Sequence, residues 1–359
     1  MTKPTMLDYV RETPHVVRGQ LEGCFERPLV DAFMAGEYRY VRIVASGSSR
    51  DASLIARPYL RRMLGREVLV TEPYTFCTYE SELPDDEFCF VISQSGYSTN
   101  ALAALATIRQ AGRVAIGVTG DLESDFRVAS DVVVPYGVGE EQVGYVTKGV
   151  TALATFLMLF GAQVAENEGR FDLGDTHAAI RDMLDRFESA FAQVTDLHDA
   201  RYKELSSMER VFLIGAGANY GIASEGALKF AECLQIPAQA FELDEYLHGP
   251  NLQLSPEYTV FFVAVGERSW ARTRQIVDAT CRVTDRVFIT TDCPDMEADI
   301  RLMPGGDELV TSLAALPVFQ ALAWQLTEEK HLWHKHPLVA QFDAALSGKS
   351  SNYVDKEVL

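Results

Sequence analysis

The chain has 359 residues, of which 47% are hydrophobic and 23% charged, a balance typical of a soluble globular protein with one large core or two domains. Its 32 basic and 51 acidic residues give a formal net charge of −19, which argues against binding to nucleic acid or to an anionic membrane surface. No uninterrupted apolar run approaches the roughly 18 residues of a membrane span, and residues 1–19 contain no signal-peptide core, so we expect a cytoplasmic protein.

Neither the cysteines nor the histidines predict a metal site. The six cysteines are scattered without a CxxC pair, which indicates buried or incidental thiols in a reducing compartment. His331, His334 and His336 lie just before Pro337, but no acidic ligand is paired with them, so a packing or solvated role is favoured. We therefore expect neither a metal ion nor an organic cofactor.

The first half of the chain predicts alternating strands and helices. Residues 41–63 predict a strand, a turn of small residues and a helix, and strands are predicted again over 67–76 and 88–93. Two later strand-like segments are RVAIGVTG and DVVVPYG, and a helical pattern covers 152–169. The segment FCFVIS at 88–93 is too continuously apolar for a half-exposed strand, which indicates a parallel strand buried on both faces.

That third strand runs into SQSGYS, which ends where a helical pattern begins. Ser93, Ser95 and Ser98 supply hydroxyl donors, and Gly96 lets the backbone approach a ligand. Together with the free N–H groups of a helix N-terminus, this combination is typical of a phosphate cradle. An ordinary serine-capped turn is the more common origin of an isolated SxSG motif, so the turn alone does not identify a phosphate site.

A second turn of small residues, Gly47-Ser48-Ser49, follows the first predicted strand. The carboxyl ends of parallel strands lie on one edge of the sheet, where open α/β folds bind ligands. Two hydroxyl-bearing turns that converge on one crevice indicate a phosphate site more strongly than either turn alone.

The second half repeats the order of elements found in the first. Residues 210–234 predict a strand, a turn of small residues and a helix, and strands are predicted over 237–246 and 259–266. RVFITTD and DELVTS are further strand-like segments, and helices are predicted over 175–194 and 312–331. Two tandem copies of one α/β unit is the simplest interpretation.

The copies differ where a ligand would bind. In the second copy the third strand ends at Gly266-Glu267, and Glu267 would repel a phosphate, so only the first copy is expected to bind one. The second copy's GAGANYG segment is no dinucleotide fingerprint, because Tyr220 stands where GxGxxG requires a glycine.

The second copy also contains the candidate acid and base groups. Glu225, Lys229 and Glu232 follow one another at helical spacing, which fits a surface ion pair or a catalytic cluster. His248 precedes Gly249-Pro250, a rigid turn that fixes the imidazole at a loop tip. A histidine that titrates near neutral pH and a carboxylate are suited to moving protons to and from carbon and oxygen.

At these motifs the chain resembles the sugar isomerase (SIS) domain proteins, and more closely the isomerase half of glucosamine-6-phosphate synthase and the fructosamine-type 6-phosphate deglycases. The resemblance runs from about residue 35 onward and rests on SGSS (46–49), SQSGYS (93–98), GYVTKG (144–149), EGALKFAE (225–232), EYLHGP (245–250) and, more weakly, NYVDKEV (352–358). It implies an α/β fold of two tandem SIS domains, each a flavodoxin-like three-layer α/β/α sandwich around a parallel sheet.

The implied organisation has five segments. They are an N-terminal helical segment (1–34), SIS domain 1 with the phosphate-binding turns (35–170), a linker helix (171–195), SIS domain 2 with the acid and base residues (196–335), and a C-terminal tail that reaches the active site (336–359). A homodimer or larger homo-oligomer with a shared active site is expected, because family members often borrow the catalytic histidine from a neighbouring subunit.

The resemblance also implies roles for individual residues. The 6-phosphate of a sugar would be held by Ser48, Ser49, Ser93, Gln94, Ser95 and Ser98. Glu232 would be the base that moves a proton between C1 and C2, and His248 would open the ring or donate to the sugar oxygen. Lys229 would steer the open-chain sugar, and Lys356 corresponds to the lysine that reaches the carbonyl in the synthase.

The chain also departs from the synthase pattern. No glutaminase domain precedes the first SIS unit and the earliest cysteine is Cys24, so we do not expect ammonia transfer from glutamine. We expect a metal-independent deglycase that converts a 6-phosphofructosyl amine into an aldose 6-phosphate and a free amine. The alternatives are an amino-sugar 6-phosphate isomerase or deaminase and, less favoured by the charge of −19, a phosphosugar-sensing regulatory module.

Overall fold

A computed structural model describes residues 3–334 and 336–354 of the chain, and Lys356 lies outside these residues. The chain divides into two compact units. Unit 1 is Met1–Thr5, His15–Thr176 and His334–Leu359, and unit 2 is Met6–Pro14 and His177–Trp333. The five segment boundaries inferred from the sequence stay a prediction.

Unit 1 contains a five-stranded parallel sheet. Its strands are β1 (Tyr40–Val44), β2 (Glu67–Thr71), β3 (Glu87–Ser93), β4 (Ile116–Thr119) and β5 (Val132–Pro135), in the order β2-β1-β3-β4-β5. The helices from α1 to α7 are α1 (Met6–Gly23), α2 (Arg27–Met34), α3 (Ser48–Leu64), α4 (Pro73–Tyr79), α5 (Thr99–Gln110), α6 (Phe126–Ala129) and α7 (Lys148–Asn167). All seven residues of β3 are buried, as its apolar sequence predicts for a central strand.

Helices cover both faces of this sheet. Phe88 of β3 packs against Phe33 of α2, with ring centroids 5.1 Å apart, and against Phe160 of α7. Val91 belongs to an apolar cluster that includes Leu105 of α5. Because residues 88 and 91 point to opposite faces of a pleated strand, unit 1 is a three-layer α/β/α sandwich.

Unit 2 repeats this plan around its own parallel sheet. Its strands are β6 (Val211–Gly215), β7 (Ala238–Glu242), β8 (Thr259–Ala264), β9 (Val287–Thr291) and β10 (Ile300–Arg301), in the order β10-β9-β8-β6-β7. The remaining helices, the last of which lies in unit 1, are α8 (Leu173–Ala192), α9 (Val194–Ala200), α10 (Tyr202–Ser206), α11 (Ala218–Leu234), α12 (Glu267–Thr280), α13 (Glu308–Thr311), α14 (Leu316–Lys330) and α15 (Pro337–Ala345). Counted within each unit the strand order is the same, so the prediction of two parallel α/β units is confirmed.

Three strand predictions were wrong in detail, and the one over 237–246 ends with β7 at Glu242, before the 3-10 turn Glu245–Leu247. DELVTS (307–312) forms helix α13 because the carboxylate of Asp307 caps it, accepting a hydrogen bond from the backbone N–H of Leu309 at 3.2 Å. The strand predicted over 67–76 ends at Thr71, because Pro73 begins helix α4.

Within residues 3–334 and 336–354, two segments are long and apolar enough to cross a membrane by length and composition alone. They are α7 and Glu308–Lys330, and 89% and 83% of their apolar windows are buried inside the protein. Burial of this extent is what the core helices of a folded domain show.

Candidate functional site

The carboxyl ends of β1 and β3 form the topological switch point of unit 1, where strand order reverses and ligands bind in open α/β sheets. Helix α3 follows the first strand and begins with buried Ser48 and half-buried Ser49. Nδ2 of Asn100, in the first turn of α5, donates a hydrogen bond to Oγ of Ser46 at 3.3 Å. The structure therefore brings the two hydroxyl-bearing turns together, as the parallel sheet predicts.

The turn after β3 collects three serine hydroxyls. Oγ of Ser93 accepts a hydrogen bond from the N–H of Gly96 at 3.2 Å and donates to Oγ of Ser98 at 3.3 Å. Oγ of Ser95 accepts from the N–H of Tyr97 at 3.3 Å. Gly96 has φ +67°, in the left-handed region, and a Cβ at this position would collide with the side chain of a neighbouring serine. Three of the predicted phosphate ligands thus lie in one tight turn.

Gln94, also predicted to bind phosphate, is hydrogen-bonded to a carboxylate that the sequence did not single out. Its Nε2 donates to Glu141 at 2.6 Å, and Glu141 accepts from the N–H groups of Thr147 and Lys148, at 2.7 and 2.9 Å, where α7 begins. Burial raises the pKa of Glu141, although these hydrogen bonds oppose the rise. The absence of a Cβ at Gly149 leaves space for the Gln94 amide. Glu141 could have been identified from the sequence because it is an acidic residue that lies shortly before a helix N-terminus.

Residues 347–353, which we call the strap, pair with the turn after β3. An isolated antiparallel bridge joins Lys349 to Ser98. The N–H of Ser350 donates to the carbonyl oxygen of Tyr97 at 2.9 Å. The strap therefore adds a short piece of backbone beside the serine cluster.

The strap also places an ammonium group on the serines. Nζ of Lys349 lies 2.7 Å from Oγ of Ser95 and 3.2 Å from Oγ of Ser98. Lys349 was not among the predicted site residues, and the role predicted for Lys356 stays a prediction because Lys356 lies outside the described residues. No local pattern marks Lys349, because its partners are about 250 positions away in the chain.

In unit 2, helix α11 holds Lys229 between two carboxylates. Nζ of Lys229 lies 3.2 Å from Glu225 and 2.6 Å from Glu232, and the lysine side chain is 0% exposed whereas that of Glu232 is 30% exposed. Burial alone would lower the pKa of Lys229, but the two carboxylates outweigh burial and raise it. In this structure Lys229 orients Glu232, and the direct contact with a sugar that the resemblance implied stays a prediction.

His248 lies on an exposed loop of the same unit. It follows the 3-10 turn Glu245–Leu247, its side chain is exposed, and Gly249 beyond it has φ +130°. Among residues 3–334 and 336–354, no hydrogen bond or ion pair joins its ring to Lys229 or Glu232. A shared role for His248 and Glu232 is therefore a prediction about the assembled protein.

The turn of unit 2 that corresponds to the serine turn is occupied by the protein itself. Oδ1 of buried Asp292 accepts hydrogen bonds from the N–H of Gly266 and from Nε1 of Trp270, both at 2.9 Å. A carboxylate thus takes the donors that an external anion would use, which is a second reason, beside Glu267, to expect phosphate only in unit 1.

Comparisons with known proteins agree with this geometry. The family model described as "SIS domain" matches residues 204–295. A glutamine–fructose-6-phosphate aminotransferase (isomerizing) of Aeropyrum pernix is 27% identical over 336 residues, which cover 89% of this chain and 54% of that protein. The chain thus spans about half the length of this curated relative.

Two solved structures share the fold at low sequence identity. A protein of Clostridium difficile 630, provisionally described as a phosphosugar isomerase, has a TM-score of 0.85 and 22% identity over 98% of this chain and 100% of that one. The C-terminal domain of glucosamine-fructose-6-phosphate aminotransferase from Francisella tularensis has a TM-score of 0.83 and 18% identity over 94% of this chain and 98% of that one. Residues 204–295 therefore match a SIS domain, and the chain as a whole is similar to the isomerizing aminotransferase and shares the fold of the two solved structures.

Proposed function

We propose that this chain binds a sugar phosphate at the switch point of unit 1 and moves a proton between two adjacent carbons of the sugar. The observation that carries the proposal is the cluster of Ser93, Ser95 and Ser98 at the ligand-binding edge of a parallel sheet. In a chain of net charge −19, an anion has to be held by local donors of this kind. The name of the Aeropyrum relative includes fructose 6-phosphate, a ketose phosphate, which supports the choice of ligand class.

Glu232 is the proposed base. Its carboxylate is partly exposed and is held by the buried ammonium of Lys229, so it combines access with a fixed direction. Removal of a proton from C1 of an open-chain ketose leaves the electron pair of the C–H bond in a C1–C2 double bond, while the carbonyl oxygen gains a proton. Return of a proton to C2, with loss of the proton from the C1 hydroxyl, gives the aldose. We assign to His248 the donation of a proton to this carbonyl oxygen, because an imidazolium is a common general acid.

The finer proposal is a deglycase that acts on a 6-phosphofructosyl amine. In this substrate C1 carries an amine nitrogen, so loss of the C1 proton and protonation of the carbonyl oxygen give an enaminol. Protonation at C2, with loss of the proton from nitrogen, then gives an aldimine. Water then adds to the carbon–nitrogen double bond, and the adduct breaks into an aldose 6-phosphate and the free amine. Proton transfer by one carboxylate and one histidine is sufficient for these steps.

A second candidate uses the same groups on a different substrate. An amino-sugar 6-phosphate isomerase or deaminase requires the same phosphate site and the same transfer between C1 and C2. The isomerizing aminotransferase among the relatives favours this candidate. We further propose that the protein works in the cytoplasm as a homodimer or larger assembly.

One experiment separates these activities. The protein is incubated in D₂O with fructose 6-phosphate, glucosamine 6-phosphate and fructosyl-lysine 6-phosphate, and deuterium at C1, ammonia and lysine are measured. Release of lysine with a turnover number near 1 s⁻¹ or above, about the lower end for enzymes, supports the deglycase. Release of ammonia from glucosamine 6-phosphate supports the deaminase. Binding of all three esters without deuterium exchange contradicts an enzymatic role and supports a sensing module.

A further inference from the structure

We propose that Lys349 is the cationic ligand of the sugar phosphate, carried by the strap onto the serine turn of unit 1. The inference rests on the proposed function, because it adds a charge and a chain segment to the same phosphate site. It starts from the position of Nζ, within 2.7 and 3.2 Å of two serine hydroxyls.

The hydroxyl groups of Ser95 and Ser98 each accept two hydrogen bonds, and this leaves their own hydrogens to be donated to another group. Ser95 Oγ accepts from the N–H of Tyr97 and from Nζ of Lys349. Ser98 Oγ accepts from the hydroxyl of Ser93 and from the same Nζ. A hydroxyl oxygen accepts two hydrogen bonds and an ammonium only donates, so both acceptors are full and each O–H is left to donate elsewhere. Among the described residues nothing accepts either hydrogen. A ligand that offers only acceptor oxygens fits this arrangement.

The ammonium is missing a counter-charge. Nζ has three hydrogens and gives two to the serines, so one remains. No carboxylate of the described residues forms an ion pair with Lys349, although the residue is half-buried and burial lowers its pKa. The ring of Tyr353, 5.3 Å from Nζ, is a weak partner for the charge. A phosphate on the serines would provide the anion that a partly buried cation requires.

The strap holds Lys349 in place through its backbone and side chains. The N–H of Thr99 donates to the carbonyl oxygen of Gly348 at 3.1 Å. Farther along, Nδ2 of Asn352 donates to Asp125 at 2.8 Å, and the rings of Tyr353 and Tyr97 lie 5.7 Å apart. The strap and the phosphate share the serine turn. A docked strap therefore raises the affinity for phosphate, and bound phosphate stabilises the docked strap by the same free energy.

The test is calorimetric titration of the full chain with inorganic phosphate and with fructose 6-phosphate. Lys349→Met should weaken both ligands by about 10- to 100-fold, the range expected for losing a hydrogen bond to a charged group. Lys349→Arg should retain part of the affinity because it keeps the charge. Lys203→Met, the same change at an exposed lysine of unit 2, is the matched control and should bind like the unmodified protein. In the unmodified protein, either ligand should also slow amide hydrogen exchange in residues 347–353.

The outcomes separate this inference from the function on which it rests. If Ser95→Ala loses affinity but Lys349→Met stays within twofold of the unmodified protein, the serine site stands and the role of Lys349 is overturned. Tighter binding by Lys349→Met would also overturn it, because the strap would then obstruct the site. If ligand binding to the unmodified protein does not slow amide hydrogen exchange in residues 347–353, the role of Lys349 is also overturned. This measurement does not depend on the folding of any variant. If the unmodified protein binds neither ligand, the phosphate site itself fails.

Discussion

The ammonium of Lys229 lies 2.6 Å from the carboxylate of Glu232, on the same helix and three residues apart. A second carboxylate, that of Glu225, lies 3.2 Å from the same ammonium. Glu225 and Lys229 are both fully buried, whereas Glu232 is partly exposed. The buried pair of Glu225 and Lys229 therefore holds Glu232, the one carboxylate of the three residues that a substrate can reach, in a fixed position.

Glu232→Gln should lower kcat by about 10²- to 10⁴-fold, because an amide cannot take a proton from carbon. The affinity for inorganic phosphate should stay within twofold, since the serine turn is untouched. Glu297→Gln, the same substitution at an exposed position of unit 2, serves as the control and should leave kcat unchanged. Retention of more than about a tenth of the activity in Glu232→Gln removes this residue from the mechanism.

Lys229→Met should destabilise unit 2 by about 3–5 kcal/mol, because it leaves the carboxylate of Glu225 buried without its cation. The protein's three tryptophans, Trp270, Trp324 and Trp333, belong to unit 2, so their fluorescence during urea unfolding follows this unit. Adding Glu225→Gln to the lysine variant should restore part of the loss. If Lys229→Met alone lowers the free energy of unfolding by less than about 1 kcal/mol, the ion pair of Glu225 and Lys229 contributes no more than a solvent-exposed ion pair does.

If His248 acts in the site of a neighbouring subunit, two inactive variants should complement each other. Equal amounts of Glu232→Gln and His248→Ala chains, refolded together, should recover about one quarter of the normal activity, because half of the dimers are mixed and each mixed dimer has one intact site. Each variant refolded alone provides the baseline. Recovery no greater than that baseline means that both residues act within one chain.

The affinity for fructose 6-phosphate should fall as the pH rises through the pKa of Lys349. Burial lowers the pKa of Lys349, so its ammonium loses the proton at a lower pH than the value of about 10.4 for an ordinary lysine. The bound anion favours the charged form, and affinity is therefore lost as the pH rises through that pKa. The phosphate ester titrates near pH 6, so its charge stays constant in this range.

The measurement for this prediction is the Kd from pH 7.5 to 10, with Lys349→Arg as the comparison. Arginine stays charged throughout, so this variant should show a flat profile. Parallel profiles for the two proteins would assign the change to another group.

Much of the fold follows from local patterns in the sequence. The apolar run 88–93 and the turns after β1 and β3 could be located because a parallel strand buried on both faces leaves a continuous signal. The segment 307–312 was misassigned because its apolar residues fit a strand or a short helix equally well, and the choice was made by the cap at Asp307. Hydrophobic spacing alone does not distinguish such short segments.

Only part of the candidate site is marked by local patterns in the sequence. Ser93, Ser95 and Ser98 are adjacent in sequence, so their proximity could be predicted from one turn. Lys349 and Asp292 reach their partners through tertiary contacts that leave no local pattern. The role predicted for Lys356 stays a prediction, because this residue lies outside the described residues.

Asp292 gives the turn after β8 an anionic partner that cannot diffuse away. A free ligand stabilises its site only in proportion to its concentration relative to its Kd, whereas a tethered carboxylate is always present. The duplicated sheets therefore differ in what their turns respond to. The hydrogen bonds at the turn after β8 are the same at any concentration of metabolite, and under the proposed function only the serine turn of unit 1 would respond to the concentration of sugar phosphate.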